Sequence, residues 1–452
     1  MNSRRHTLAG CVAVALAVSL APTVVKADDS NQSSANELEA VNVSALPLGS
    51  GSPSTPYSVM DQQTLTQKNA ATLGETLNNQ PGVHSDTFGG GASRPVVRGQ
   101  SGPRVGVLND GSAVLDASKI SPDHTVTVDP MLARQIEVLR GPSTLLYGSG
   151  ASGGVVNVLD SRIPTERPRE DVEGFVGARA NTVADENATA AGITFSATDH
   201  LVFRVEGSRR DADDYEVDGF DRLTVPGTYA ESDNSSIGAS WIGDQGFFGM
   251  AYSYRRDNYG LPGHSHEFEE CGVSGNSLAC PEEEHDHEHG EEVTPFVDLA
   301  SRRVDARGEY RNPMDGITAI RFRGNHTEYR HHEIEEGEIG TTFRNRGGDA
   351  RLEVEHAPIG DWRGVVGMQY TDFDFSSLGG EAFVPKTESR ALALFAVEEY
   401  RLNDQWRFEL GARQERQRLR PEDRPGEALP DLKQDSTSLS AAANWAFVPG
   451  YE

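Results

Sequence analysis

The 452-residue sequence predicts a mainly β protein, in which a compact mixed α/β domain precedes the strands of a membrane-spanning antiparallel β-barrel. From about residue 171, short runs alternate apolar and polar residues, as in LVFRVEGSRRD, where Leu201, Phe203 and Val205 share one face. The opposite face carries more arginines and glutamates than a packed core tolerates. A barrel with lipid outside and a polar interior explains both faces. A soluble β-sandwich with one solvated face is the alternative.

The N-terminal segment indicates export. Arg4 and Arg5 precede an apolar run that ends in small residues, which predicts a signal peptide over residues 1–27, cleaved after Ala27. Residues 28–54 are predicted to be flexible around one short strand-like stretch, which could pair with the sheet edge of a partner. No later run is long and apolar enough for a transmembrane helix.

The charge balance limits the classes of partner and activity. The formal net charge of −28 argues against nucleic acid as a partner, because phosphates bind basic surfaces. The same excess of acid favours a surface that attracts cations. The sequence contains no H-E-x-x-H, so a zinc protease is disfavoured, and we expect no enzymatic activity.

Residues 55–165 have the pattern of the compact mixed domain. A helix is predicted over 69–83, where Leu73 and Leu77 lie four positions apart, and strands are predicted in RVGVLNDG and RQIEVLRGP. The glycines of GSGASG (148–153) satisfy G-x-G-x-x-G, the spacing of a dinucleotide-binding turn. A strand-like valine run follows them instead of a helix, so we reject a nucleotide site.

A loop over residues 261–295 interrupts two predicted strands and concentrates metal-binding residue types. Its histidines are spaced by two within each of two groups, so an extended chain would direct each group to one face and one ion. They are His264, His266, His285, His287 and His289. A solvated acidic loop is the alternative. Cys271 and Cys280, the cysteines left after export, are expected to form a disulfide in an oxidising compartment.

A long stretch of the compact domain resembles a known family. IEVLRGPSTLLYGSGASGGVVNV (136–158), with LGETLNNQPGV and PVVRGQ upstream, is similar to the plug domain of TonB-dependent outer-membrane receptors. The resemblance implies a plug inside a 22-stranded antiparallel transmembrane β-barrel, of which 170–452 would supply the first half. It also implies outer-membrane localisation in a Gram-negative bacterium, contact with outer-membrane lipid, and transport energised through TonB. VNVSA resembles the TonB box, formed here by Val41, Asn42, Val43, Ser44 and Ala45.

A narrower resemblance is to the ZnuD-type zinc receptors of that family. It rests on SPDHTVTVDP (121–130), on YSYRRDNYGLPGHSHEFEEC (252–271) and on EYRHHE (328–333). It implies zinc as the transported substrate, with no tightly bound cofactor. By motif, Asp123 and His124 of the plug and Glu333 of the barrel wall would be zinc ligands.

Several roles stay open at this point. His331 and His332 flank the motif without an assigned role, and a further histidine ligand is expected beyond residue 452. On the residues alone, Asp123-His124 could be a hydrogen-bonded turn and Glu333 a lumen salt bridge. With the 261–295 loop outside the cell, we expect it to concentrate zinc for the deeper site. The alternatives are a receptor for a ferric siderophore, nickel or copper, or a metal-binding surface protein that transports nothing.

Overall fold

The computed structural model describes Leu48 and residues 56–447, except 69, 149, 218–223, 263–271, 276, 280–293, 381, 383, 424–425 and 427. The N-terminal part, called the plug below, consists of β1 (Tyr57–Met60), α1 (Gln62–Lys68), α2 (Leu73–Leu77), β2 (Val83–Phe88), β3 (Ala92–Val97), β4 (Val105–Asn109), β5 (Ser112–Ala113), β6 (Gln135–Leu139) and β7 (Gly154–Leu159). Short 3-10 turns lie at Gly102–Arg104, Pro130–Leu132 and Pro142–Tyr147. No helix among the described residues is long and apolar enough to cross a membrane.

The plug is built on a five-stranded mixed sheet in the order β1-β6-β7-β4-β5. Strands β4 and β7 pair in parallel and the other neighbours pair antiparallel, while β2 and β3 form a separate hairpin. Every residue of β7 is buried, as expected for the valine-rich centre of a sheet covered on both faces. The strand directly after GSGASG supports rejection of the nucleotide site.

The helix predicted over 69–83 is much shorter in the structure. Only Leu73–Leu77 is helical, and Asn79 adopts a φ of 69°, which lies in the left-handed region. Leu73 and Leu77 are buried as their spacing predicted. The neighbouring helix α1 was not predicted, because its sequence, QQTLTQK, offers a single buried leucine and so no apolar periodicity.

Most of the described residues from Val172 onwards form one antiparallel sheet of 12 strands, called the wall below. Its strands are β8 (Val172–Asn181), β9 (Glu186–Ser196), β10 (Leu201–Ala212), β11 (Ala230–Gly243), β12 (Gly246–Gly260), β15 (Phe296–Met314), β16 (Ile317–Glu335), β17 (Glu338–His356), β18 (Trp362–Gly379), β19 (Thr387–Arg401), β20 (Trp406–Pro421) and β21 (Leu432–Trp445). Each strand pairs with the next wall strand of the chain. In the loop between β12 and β15, β13 (Gly272–Ser274) and β14 (Ser277–Ala279) pair only with each other.

The wall has the inverted polarity that the sequence predicts for a barrel. On β10, Val205 is 44% exposed, whereas Arg204 and Glu206 on the opposite face are only 7% and 5% exposed. The Arg204 guanidinium lies 2.9 Å from the Glu206 carboxylate, and buried charges are tolerated when they are paired in this way. The same arginine-x-acid pattern recurs on β15, where Arg303 lies 2.8 Å from Asp305. The predicted mainly β fold, with a plug and an antiparallel sheet, is therefore confirmed.

The polar face of the wall contacts the plug. Arg303 donates a hydrogen bond of 2.9 Å to the carbonyl of Ala113, and the amide of Ala113 donates one of 3.0 Å to Asp349. Farther along the wall, Asn234 donates to Asp129 of the plug at 2.8 Å. Directed polar contacts therefore fix the plug to the wall. Two of them lie at Ala113 and Asp129, so the loop between these residues is held against specific positions of the wall strands.

Candidate metal centre

The side chain of Asp116 accepts hydrogen bonds from both ends of the loop that follows β5. One oxygen of Asp116 accepts hydrogen bonds from the amide and hydroxyl of Ser118, at 3.0 and 2.6 Å. Its other oxygen accepts from the amide of Thr127 at 3.0 Å. Because both ends of the loop bind one buried side chain, Asp123 and His124 between them have a defined position.

Tyr259 of the wall anchors the same loop from outside the plug. Its hydroxyl donates to the carbonyl of Asp123 at 2.9 Å and accepts from the amide of Thr125 at 3.2 Å. The Tyr259 side chain is 1% exposed and lies at the end of β12, directly before the 261–295 loop. The base of that loop is thus bonded to the backbone that carries Asp123 and His124.

The opposite side of the site comes from β16. His331 and Glu333 are two positions apart on this strand, so both side chains point to the inner face. His331 is completely buried, with its ring centroid 4.7 Å from that of His124 and 4.6 Å from that of Phe343. The two imidazoles therefore meet across the boundary between plug and wall.

The possible ligand atoms converge on a small volume. His124 Nε2 lies 3.1 Å from Glu333 Oε1 and 3.9 Å from Asp123 Oδ1, and His331 Nε2 lies 3.6 Å from Glu333 Oε1. Ligand atoms of His124, His331 and Glu333 all lie within 4.8 Å of one another. Around a tetrahedral zinc ion with bonds of about 2.0 Å, ligand atoms are about 3.3 Å apart. Small side-chain movements would bring this set to that geometry.

Outer hydrogen bonds orient both imidazoles towards the centre. His124 Nδ1 donates to the carbonyl of Ala117 at 3.1 Å, and His331 Nδ1 is hydrogen-bonded to the hydroxyl of Tyr329 at 2.6 Å. Metal-binding histidines are held in this manner, with the second ring nitrogen free for the ion. Among the residues that the structure describes, His331 Nε2 and Asp123 Oδ1 are buried and have no hydrogen-bond partner, which is an unusual state that a ligand would relieve.

The charge state of His124 is coupled to its neighbours. Burial opposes its protonation, but the hydrogen bond with Glu333 and the charge of Asp123 outweigh burial and raise the pKa of His124 above its ordinary value. Without a metal ion, a proton on His124 can therefore balance the Glu333 carboxylate. A metal ion that binds this imidazole has to displace that proton.

The structure brings Asp123, His124 and Glu333 together, as their motifs predicted. It adds His331, whose role the sequence left open, and it turns His332 to the outer face, where its Nδ1 is hydrogen-bonded to Thr342 at 2.8 Å. The sequence contained a signal that could have assigned His331. Side chains alternate between the two faces of a strand, so His331 lies on the same face as Glu333 and His332 lies on the opposite face.

Other predicted site residues lie outside the described part of the chain. They are the five loop histidines (His264, His266, His285, His287 and His289), the two cysteines (Cys271 and Cys280) and the motif Val41, Asn42, Val43, Ser44 and Ala45. Between the positions of the two cysteines, β13 and β14 pair with Gly272 opposite Ala279, and the disulfide stays a prediction.

Replacing Tyr259 by phenylalanine should lower zinc affinity about tenfold while the chain stays folded, because the loop loses two anchoring hydrogen bonds and the ring still packs. Isothermal titration with zinc measures the effect. Tyr310→Phe is the control, since the Tyr310 hydroxyl donates a hydrogen bond of 2.9 Å to the exposed Gln245. Equal affinity of Tyr259→Phe and the unmodified chain would remove Tyr259 as a positioning residue.

Two family models match the chain. Residues 52–155 match the TonB-dependent receptor plug domain, and residues 200–452 match the TonB-dependent receptor-like β-barrel. Among curated relatives, the chain is similar to the ferrioxamine receptor of Yersinia enterocolitica, with 31% identity over 34% of this chain and 21% of the relative. It is also similar to the vitamin B12 transporter BtuB of Photobacterium profundum, with 27% identity over 56% of this chain and 41% of the relative. The chain thus spans less than half the length of either relative.

Solved structures share the fold at low sequence identity. The copper transporter OprC superposes with a TM-score of 0.65 and 15% identity, covering 86% of this chain and 60% of that chain. The FrpB iron transporter from Neisseria meningitidis superposes with a TM-score of 0.64 and 12% identity, covering 87% and 63%. These similarities establish the architecture and leave the cargo to be argued from the site.

Proposed function

The chain belongs to the TonB-dependent receptor family of outer-membrane proteins, and from this premise we propose that it serves the uptake of zinc ions across the outer membrane. One observation carries the choice of zinc, namely the convergence of two imidazoles and two carboxylates where the plug meets the wall. These are His124, His331, Asp123 and Glu333.

The donor set favours a divalent transition metal. Imidazole nitrogens suit zinc, copper and nickel, whereas calcium and magnesium prefer oxygen ligands alone. Two carboxylates also neutralise the charge of a divalent ion, which matters in a buried site. Zinc tolerates a mixed nitrogen and oxygen set in a tetrahedral arrangement, to which these ligand atoms are close.

The enclosure of the site favours a bare ion over a chelate. Asp123 and His124 are 5% and 2% exposed, and His331 is completely buried. A bulky ferric siderophore or a cobalamin could not contact these groups without displacement of the surrounding loop. We therefore do not assign the ferrioxamine or vitamin B12 named for the two relatives to this chain, because its site suits a smaller cargo.

The remaining parts of the proposal concern residues outside the described structure. We propose that residues 1–27 direct export, that residues 41–45 engage TonB as an added strand, and that the 261–295 loop concentrates zinc at the entrance. The bond between Tyr259 and the Asp123 loop supports the last point, because it joins the base of that loop to the inner site.

The test is metal uptake, because Cu2+ binds most nitrogen and oxygen sites more tightly than Zn2+ and affinity alone does not identify the cargo. In the native bacterium under zinc limitation, Glu333→Gln or removal of 41–45 should each lower cell zinc. Glu328→Gln on the outer face of the same strand is the control. Unchanged zinc together with impaired uptake of copper, nickel or a ferric chelate would reassign the cargo.

A further inference from the structure

Two arginines lie directly opposite each other on the outer face of the wall. Arg330 of β16 is the register partner of Arg344 of β17, and both side chains are exposed. Side chains in such pairs have Cβ atoms only about 5 Å apart, so like charges repel. Neither guanidinium has an ion-pair partner among the described residues.

The inner face of the same two strands shows how this protein stabilises such a pair. Arg323 is the register partner of Arg351, and the Glu353 carboxylate bridges them at 2.9 and 2.7 Å. In the next outer row the charges alternate, because Arg302, Glu328, Arg346 and Asp374 follow one another in the register, and the Glu328 carboxylate lies 3.3 Å from Arg346. Within the described part of the chain, the Arg330–Arg344 pair therefore lacks the carboxylate partner that these other arginines have.

The height of the pair on the wall identifies the class of anion. Ile320 and Val354 are register partners at the lower part of the outer apolar surface, ten positions before Arg330 along β16. Ten residues of a strand tilted as in membrane barrels rise about 25 Å, which is the height of the lipid-facing band. Exposed apolar side chains, including Phe322, Leu352 and Val304, occupy the lower part of this interval, and the charged row that contains Glu328 occupies its upper part, directly below the pair. The two guanidinium groups thus lie at the level of lipid headgroups.

The opposite boundary of the band is marked by aromatic residues. Trp241, Trp362 and Trp445 are 58%, 39% and 51% exposed and lie near the short turns at the other end of the strands. Such residues settle at membrane–water interfaces. With one boundary fixed by tryptophans, the arginine pair is placed at the other boundary, on the side of the metal centre.

We propose that Arg330 and Arg344 bind the anionic phosphate of a lipid headgroup at the edge of the membrane. Guanidinium groups bind phosphate oxygens through paired, charge-assisted hydrogen bonds. A phosphate between the two would replace their repulsion by two favourable contacts, as Glu353 does inside. The site faces lipid and not the lumen, so it is independent of the metal proposal and would survive the failure of that proposal.

The experiment uses the full chain in phosphatidylcholine nanodiscs that contain phosphatidic acid, with retained lipids counted by native mass spectrometry. The double variant Arg330→Gln/Arg344→Gln should bind phosphatidic acid about tenfold more weakly than the unmodified chain. The control is Arg416→Gln/Arg418→Gln, exposed arginines already paired with Asp435 and Asp431. This control should retain the lipid.

Thermal unfolding provides a second measurement that does not depend on lipid recovery. Phosphatidic acid should raise the midpoint for the unmodified chain and not for the double variant. In neutral detergent, the double variant should be at least as stable as the unmodified chain, because the repulsion is removed. Equal retention by both chains, or complete displacement of phosphatidic acid by inorganic phosphate, would overturn the lipid site.

Discussion

Zinc affinity should fall at least about 100-fold when His331 is replaced by alanine, because even loss of an outer-shell partner costs metal sites 10–100-fold and His331 is placed as a direct ligand. His332→Ala should leave affinity unchanged, since that imidazole lies on the outer face beside Thr342. The two residues are neighbours in sequence and identical in chemistry. The comparison therefore isolates the direction of the side chain as the cause.

Isothermal titration of the full chain with zinc measures both variants. Because His331 is completely buried and alanine leaves a cavity, His331→Gln serves as a second variant that fills more of the space. Circular dichroism checks that each variant is folded. If folded His331→Ala and His331→Gln bind zinc as the unmodified chain does, the proposed ligand set is wrong.

Replacement of Arg351 by methionine should lower the free energy of unfolding by about 3 kcal/mol or more, because removal of one partner from a buried ion pair leaves the other charge poorly compensated. Arg351 is 1% exposed, and its guanidinium lies 2.7 Å from Glu353. It also donates to the carbonyl of Leu146 at 2.5 Å. The bond to Leu146 links wall and plug, and the Arg351 charge also lies 4.1 Å from the ring centroid of Phe395 on the wall.

Urea unfolding followed by tryptophan fluorescence measures this effect, since all four tryptophans lie in wall strands. Arg346→Met is the matched control. Its partner Glu328 is exposed, and exposed ion pairs contribute about 0–1 kcal/mol. Equal losses in the two variants would show that Arg351 does not stabilise the contact between plug and wall. The remaining bond of Glu353 to Arg323 limits the loss at Arg351 and makes very large values unexpected.

Local patterns in the sequence were sufficient for the fold class and for part of the site. Alternation in LVFRVEG placed Val205 outside and Arg204 inside, since strand parity is a property of neighbouring residues. The motif resemblance supplied Asp123, His124 and Glu333. The same alternation of side chains assigns His331 to the inner face of β16. Because His332 is adjacent, the sequence alone did not show which of the two histidines faces inward until the register of β16 was known.

The remaining features depend on contacts between residues far apart in the chain. Tyr259 bonds the Asp123 loop across 136 positions, and Arg351 bonds Leu146 across 205. No local pattern encodes such pairs. The Arg330–Arg344 pair likewise requires the register between β16 and β17, which is set by the whole sheet. For helix α2, the spacing of Leu73 and Leu77 correctly predicted a helix with two buried leucines. The predicted length was wrong, because the chain turns at Asn79.

The most direct measurement is a crystal structure of the full chain with stoichiometric zinc, with anomalous differences recorded at the zinc edge. The account predicts one strong peak bounded by His124 Nε2, His331 Nε2 and Glu333, with nitrogen distances of about 2.0–2.1 Å. A chain that binds zinc without a peak there, or with a peak only at the 261–295 loop, would contradict it.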